Sequence, residues 1–183
     1  MNRRVVVTGM GVVTPLGCEV DELMVNLREG KSGVQALRYV DTTDFKVKFG
    51  AEVVDFSAEP YVSAKEAKRI DRFSQFAMFA AGRAVDQSGI DFSATDQSRC
   101  GAIIGSGIGG LWEIEAQMTK LIERGPSRVS PFVIPKLMLN AAGGNVSIMY
   151  GLRGPNYGVA TACAVRPMRW DARFGRFRRV SLM

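Results

Sequence analysis

Two hydrophobic periodicities alternate along the chain. Residues 4–9, Arg-Val-Val-Val-Thr-Gly, are a short β-branched run ended by glycine, which predicts a buried strand. After loop residues at Gly9-Met10-Gly11 and Thr14-Pro15-Leu16-Gly17, the apolar positions Val20, Leu23, Met24 and Leu27 follow i, i+3, i+4, i+7. That spacing predicts an amphipathic helix stopped at Gly30. Residues 47–56 read as an edge strand or hairpin arm, with Gly50 at a bulge. Ser63-Ala64-Lys65-Glu66 has the spacing of a capping box. From there Ala67, Ile70, Phe73, Ala77, Ala81 and Ala84 predict one helix running to Ser88-Gly89.

The second part repeats the alternation. Residues 100–105 predict a buried strand. Leu111, Ile114, Met118, Leu121 and Ile122 predict a helix ended by Gly125-Pro126. Pro131 and Pro135 frame an irregular segment, followed by a helix from Leu139 to Met149. Its small residues Ala141, Ala142, Gly143 and Gly144 admit a second backbone at close range. Residues 154–162 predict a loop and then a strand. Strands alternating with helices indicate an α/β fold around a mixed, mostly parallel sheet. The body is residues 1–164. Residues 165–183 have no helical or strand period, and Pro167 bars a helix from running through it.

Composition narrows the function. With 183 residues, 46% apolar and 23% charged, the chain can bury a core without disulfide staples. No apolar run approaches the ~18–20 residues of a membrane span, and the first is too short for a signal peptide, so a cytoplasmic protein is expected. The absence of histidine excludes a Ser–His or Cys–His pair and any His metal ligand. Cys18, Cys100 and Cys163 are far apart and odd in number, which fits neither a zinc site nor a disulfide framework. The net charge of +6 hints at nucleic acid, but six Arg and one Asp in residues 165–183 account for +5 of it. The nearly neutral body argues against a nucleic-acid partner.

Three groups of residues could carry chemistry. Gly105-Ser106-Gly107-Ile108-Gly109-Gly110 has the GxGxxG spacing between a strand and a helix, as a dinucleotide site does. A tight turn against another backbone explains the same glycines, and no acidic residue ends a second strand about 20 residues on, where ribose binding needs one. Cys163 ends a strand of small and β-branched residues, Val159-Ala160-Thr161-Ala162. At an elbow opening a helix, the helix dipole favours thiolate and free amides can hold an oxyanion. A buried, inert cysteine is the alternative. Cys18 and Cys100 lack that context and read as structural. Lys65, Lys68, Arg69 and Arg72 place cations on one helix face, either solvated or a dock for an acidic partner.

These segments together resemble the β-ketoacyl-[acyl-carrier-protein] synthases, and within them the type II condensing enzymes of bacterial fatty acid synthesis. The resemblance runs from Arg3 to about Ala164. It rests on residues 4–11, on the glycine loop 105–110 and on Ser130-Pro131-Phe132. It rests most on Met149-Tyr150-Gly151-Leu152-Arg153-Gly154-Pro155-Asn156 leading into Ala160-Thr161-Ala162-Cys163-Ala164. It displaces the dinucleotide reading. It implies the N-terminal half of a thiolase-like fold, a homodimer, no cofactor, and condensation of an enzyme-bound acyl chain with malonyl-acyl carrier protein. By the same resemblance Cys163 is the acylated nucleophile and Ile108 lines the acyl pocket. Phe132 and Val133 belong to the segment reaching toward the partner subunit's pocket. Lys65 and Arg69 meet the carrier protein.

The chain also departs from that family. Family members are more than twice as long, and the two histidines that assist decarboxylation come from a second half with no counterpart here. A glycine-rich loop supplying an oxyanion amide is likewise absent. The family continues past the nucleophile with a Ser/Ala/Gly-rich helix, where residues 165–183 are Arg-rich. A truncated or frameshifted reading frame is the expected origin, and the chain alone is expected to be inactive in condensation; the alternative is a non-enzymatic fragment that binds carrier protein or dimerises.

Overall fold

The structure is a computed structural model and describes residues 5–164. The tail predicted over 165–183 lies outside the described residues. The core is built where one helix lies on a short parallel ladder and a second helix packs on the first. Strand β3 (Ala102–Gly105) pairs in parallel with β4 (Asn156–Val159), in register from Ala102 opposite Asn156 to Gly105 opposite Val159. Helix α6 (Ala141–Tyr150) lies on this ladder, and α3 (Arg72–Ser88) packs on α6. Val62, Met78, Ala102 and Val146 are buried at the centre, with Phe56, Tyr61 and Ile104 packed around them. The small residues of α6 serve this contact. Ala142 is fully buried, and a Cβ on Gly143 would stand 2.8 Å from Asn156 Oδ1. Gly144 meets nothing within 4 Å, so the close approach uses only part of the predicted small-residue run.

Several elements form as their sequences dictate. Helix α1 (Val20–Arg28) stops before Gly30, which has a positive φ of 68°. The Ser63/Glu66 capping box is present at the start of α2 (Ala64–Ala67). Helix α4 (Leu111–Arg124) ends at Gly125-Pro126. A hairpin contact joins β1 (Gln35–Ala36) to β2 (Phe49–Gly50), so only two residues of the arm predicted over 47–56 pair. No described helix is long and apolar enough to cross a membrane.

Three expectations are corrected, and the facing of one helix is new. Residues 5–9 do not join a strand, and Val6 is 72% exposed. No described strand lies alongside them. Gly9 and Gly11 instead sit against the Ala84 and Ala80 carbonyls of α3, and the Met10 amide donates to Gln87 Oε1 at 2.6 Å. The helix predicted from Ala64 to Ser88 breaks in two, because the Asp71 side chain accepts from the Phe73 amide and starts α3 anew. Pro135 lies inside a short helix, α5 (Val133–Leu137), in the first turn, where its missing N–H removes no helical bond. The apolar stripe of α4 faces outward. Ile122 is 78% exposed and Met118 half exposed, whereas Glu113 and Gln117 are buried.

One glycine tests the ladder. A Cβ on Gly101 would overlap the Pro155 carbonyl, whose oxygen accepts from the Ala102 amide at 3.0 Å to open the β3–β4 pairing. Gly101→Ala should therefore lower unfolding stability by about 2–3 kcal/mol. Gly144→Ala, in open space within a helix, should raise it by ~0.5–1 kcal/mol. Urea unfolding of both variants checks this, and equal shifts would contradict the packing described.

Candidate active site

Strand β4 delivers Cys163 to the surface. The Ser106 amide donates to the Val159 carbonyl at 3.1 Å, which carries the parallel ladder one bond past β3. The strand ends at Val159, short of the predicted Ala162, and three residues later Ala162 takes a positive φ of 44°, a conformation that a side chain with a Cβ rarely adopts. That backbone turns the chain sharply into a short 3-10 turn, Ala162–Ala164, and leaves Cys163 exposed. A strained residue directly before a nucleophilic side chain is the kind of feature that clusters at active sites. The buried Thr161 hydroxyl next to it has no hydrogen-bond partner among the described residues. Residues past Ala164, where the resembled family continues with a helix, lie outside the described residues.

The other two cysteines are placed differently. Cys18 is half-buried against a cavity of about 600 Å3 lined also by Thr14, Glu22, Asn26 and Lys31, and burial pushes its thiol up, toward the unreactive form. Cys100 Sγ donates to the Asp96 carbonyl at 3.5 Å.

The glycine loop between β3 and α4 packs on protein backbone. The Gly110 amide, at the start of α4, donates to the Leu137 carbonyl at 3.1 Å, and a Cβ on Gly109 would stand 2.5 Å from the same oxygen. An amide that a pyrophosphate would need is thus already spent, and the glycines serve a close backbone approach. Ile108 projects from this loop and is 62% exposed. Leu139 lies against both Gly109 and Gly158, so it links the Ile108 loop to the strand that carries Cys163. Phe132 and Val133 open α5.

The basic face divides. Lys65, Lys68 and Arg69 are exposed as expected. Arg72 is not on that face. Its guanidinium sits 4.7 Å from the Tyr39 ring centroid and 5.1 Å from that of Phe76, and it donates to the Val53 carbonyl. Arg69 lies 5.3 Å from the Phe132 ring centroid, which joins two groups the sequence kept apart.

Sequence reasoning missed a buried polar cluster beneath these residues. Glu113 is 7% exposed, and its carboxylate pairs with Lys136 of α5. Gln117 donates to Glu113 Oε1 at 2.8 Å and accepts from the Ser130 amide at 2.9 Å. Asp71 is buried close to Gly110. The only signal was the i, i+4 spacing of Glu113 and Gln117, opposite an apolar stripe, which ordinarily marks a solvated face.

Burial raises the Asp71 carboxyl above its ordinary value, against the pull of the Phe73 amide and the Lys136 charge. A carboxyl raised on folding contributes stability below its unfolded pKa of about 4, and loses it as pH rises through the folded value. Asp71→Asn keeps an acceptor for the Phe73 amide and removes the charge. The variant should be at least as stable as the parent at pH 7 and should show a flatter stability profile above pH ~4. Urea unfolding across that window measures it, and a variant less stable only at pH 7 would show that the ionised carboxylate is favourable.

Residues 2–165 match the family described as beta-ketoacyl synthase, N-terminal domain. The 3-oxoacyl-[acyl-carrier-protein] synthase 2 of Vibrio harveyi is 45% identical over 161 residues, 88% of this chain and 39% of that protein. The chain therefore spans about two fifths of the length of such relatives. Among solved structures, the ishigamide ketosynthase/chain length factor superposes with a TM-score of 0.81 at 25% identity, over 97% of this chain and 45% of that one. A beta-ketoacyl synthase from Burkholderia phymatum STM815 gives 0.75 at 25% identity, over 97% and 44%.

Proposed function

The chain belongs to the beta-ketoacyl synthase family, with the family's thiolase-like α/β fold, and from that premise we propose that it carries the acyl-accepting half of a 3-oxoacyl-[acyl-carrier-protein] synthase of fatty acid synthesis. The observation that carries this reading is the strained elbow at Ala162, which holds an exposed Cys163 in a short turn four residues past the parallel strand β4. Cys163 attacks the carbonyl of an acyl thioester as its thiolate. The acyl–sulfur bond to the carrier breaks, and the carrier leaves as the new thiolate. Ile108, Phe132 and Val133 receive the acyl chain. Exposed Lys65 and Arg69 meet the acidic carrier, and a second copy of the chain completes the pocket. Residues 1–164 are the working unit, and 165–183 a tail outside it.

The later step joins the Cys-bound acyl group to malonyl-acyl carrier protein with loss of carbon dioxide. It requires donors positioned for the enolate oxygen. No histidine of this chain can supply them, so the chain by itself is assigned transfer without condensation.

The experiment is incubation with an acyl-carrier thioester, then peptide mapping by mass spectrometry. The acyl mass should appear on Cys163. An adduct on Cys100 or Cys18 instead, or no adduct, overturns the assignment.

A further inference from the structure

We propose that Glu113 and Lys136, with Asp71 and Gln117, form a buried ionic clamp that fixes where Phe132 and Val133 stand and thereby which acyl chains enter. The specificity part rests on the acyl-pocket reading above; the clamp itself does not.

The clamp grips one segment at two points from one side of one helix. Gln117 holds the Ser130 amide at 2.9 Å, and Glu113, one turn earlier on α4, pairs with Lys136. Phe132 and Val133 lie between the two anchors. The Gly110 amide adds a third hold at Leu137, beside the Ile108 loop. In addition, Arg69 lies over the Phe132 ring. Four parts of the fold therefore meet around residues 130–137: the link before α3, the glycine loop, α4 and α5.

The placement is not a by-product of packing. Helix α4 turns its apolar stripe outward in order to bury this polar edge. Burying ions is unfavourable unless geometry and hydrogen bonds offset the lost hydration. Both oxygens of the Glu113 carboxylate are engaged, one by Lys136 and one by Gln117. Asp71, buried at the start of α3 and close to Gly110, places a second carboxyl beside the same segment. Removing Lys136 leaves the buried Glu113 carboxylate without its counter-charge, and the nearest relief is for residues 130–137 to move out toward water.

Amide hydrogen exchange on the 183-residue chain tests the clamp. Lys136→Met should speed exchange in peptides covering residues 130–138 by about tenfold or more, with β3, β4 and α6 unchanged. Lys136→Arg, which keeps the charge, should remain near the parent. Glu113→Gln with Lys136→Met should loosen the segment less than the two single changes combined. Glu113→Gln is the milder variant to read if Lys136→Met does not fold. Unchanged exchange, or exchange raised equally throughout the chain, overturns the clamp. The second readout is the ratio of long-chain to short-chain acyl capture on Cys163, which should shift in Lys136→Met and return in Lys136→Arg. A loosened segment with an unchanged ratio overturns the specificity role. Absence of any capture by the parent would defeat the proposed function instead, and hydrogen exchange would still decide the clamp.

Discussion

Cys163→Ala should abolish acyl capture by the chain, a loss of at least about a thousandfold in the rate of adduct formation. Cys163→Ser should be almost as inactive, and that is the sharper result. A thiol attacks a thioester near neutral pH because a small fraction is always thiolate, whereas an alcohol needs an adjacent base. The chain has no histidine to act as one, so a serine at the same elbow has the right position and the wrong chemistry. Cys18→Ser and Cys100→Ser should leave capture intact, since neither thiol stands at the elbow. Intact-mass time courses on the four variants separate these outcomes. Capture by Cys163→Ala at the parent rate would mean that the strained backbone at Ala162 serves something other than presenting a nucleophile.

The elbow was legible in the sequence because its cause is local. A run of small and β-branched residues ending at a cysteine predicts both strand and exit, and β4 with its 3-10 turn follows. Helix ends were legible for the same reason: Gly30, Gly89 and Gly125 stop α1, α3 and α4. Asp71 was the local signal that went unread, since the apolar stripe continued past it while its side chain was already capping a new helix. The remaining misses are long-range. Periodicity shows that α4 has two faces, yet it contains nothing about which face meets Lys136, twenty-three residues from Glu113. Arg69 and Phe132 lie on separate elements far apart in sequence and share a contact that only the fold creates. Val5, Val6 and Val7 have strand propensity, but propensity forms no ladder without a neighbour, and among the described residues they have none.

The orientation of α4 yields the second large effect. Met118→Lys combined with Ile122→Lys should leave unfolding stability within about 0.5 kcal/mol of the parent, as expected for substitutions on a solvent-facing side. If the apolar stripe were core, the same pair would cost roughly 4 kcal/mol or more, since each buried aliphatic side chain contributes ~1.5–3 kcal/mol and a buried charge adds to the loss. Gln117→Leu, which looks harmless on a hydropathy plot, should instead destabilise by about 1–3 kcal/mol, because the Ser130 amide loses its buried acceptor. The lysine pair should also change association. Leu111, Trp112, Met118 and Ile122 are all half exposed or more, and an apolar surface of this kind drives chains together. Sedimentation velocity should show the parent self-associating and the lysine variant shifted toward monomer at equal concentration. A variant that unfolds several kcal/mol more easily would show that this side of α4 is covered within the chain. The buried pair of Glu113 and Lys136 would then lose its reason for facing inward, because a helix cannot turn both its polar and its apolar edge to the same core.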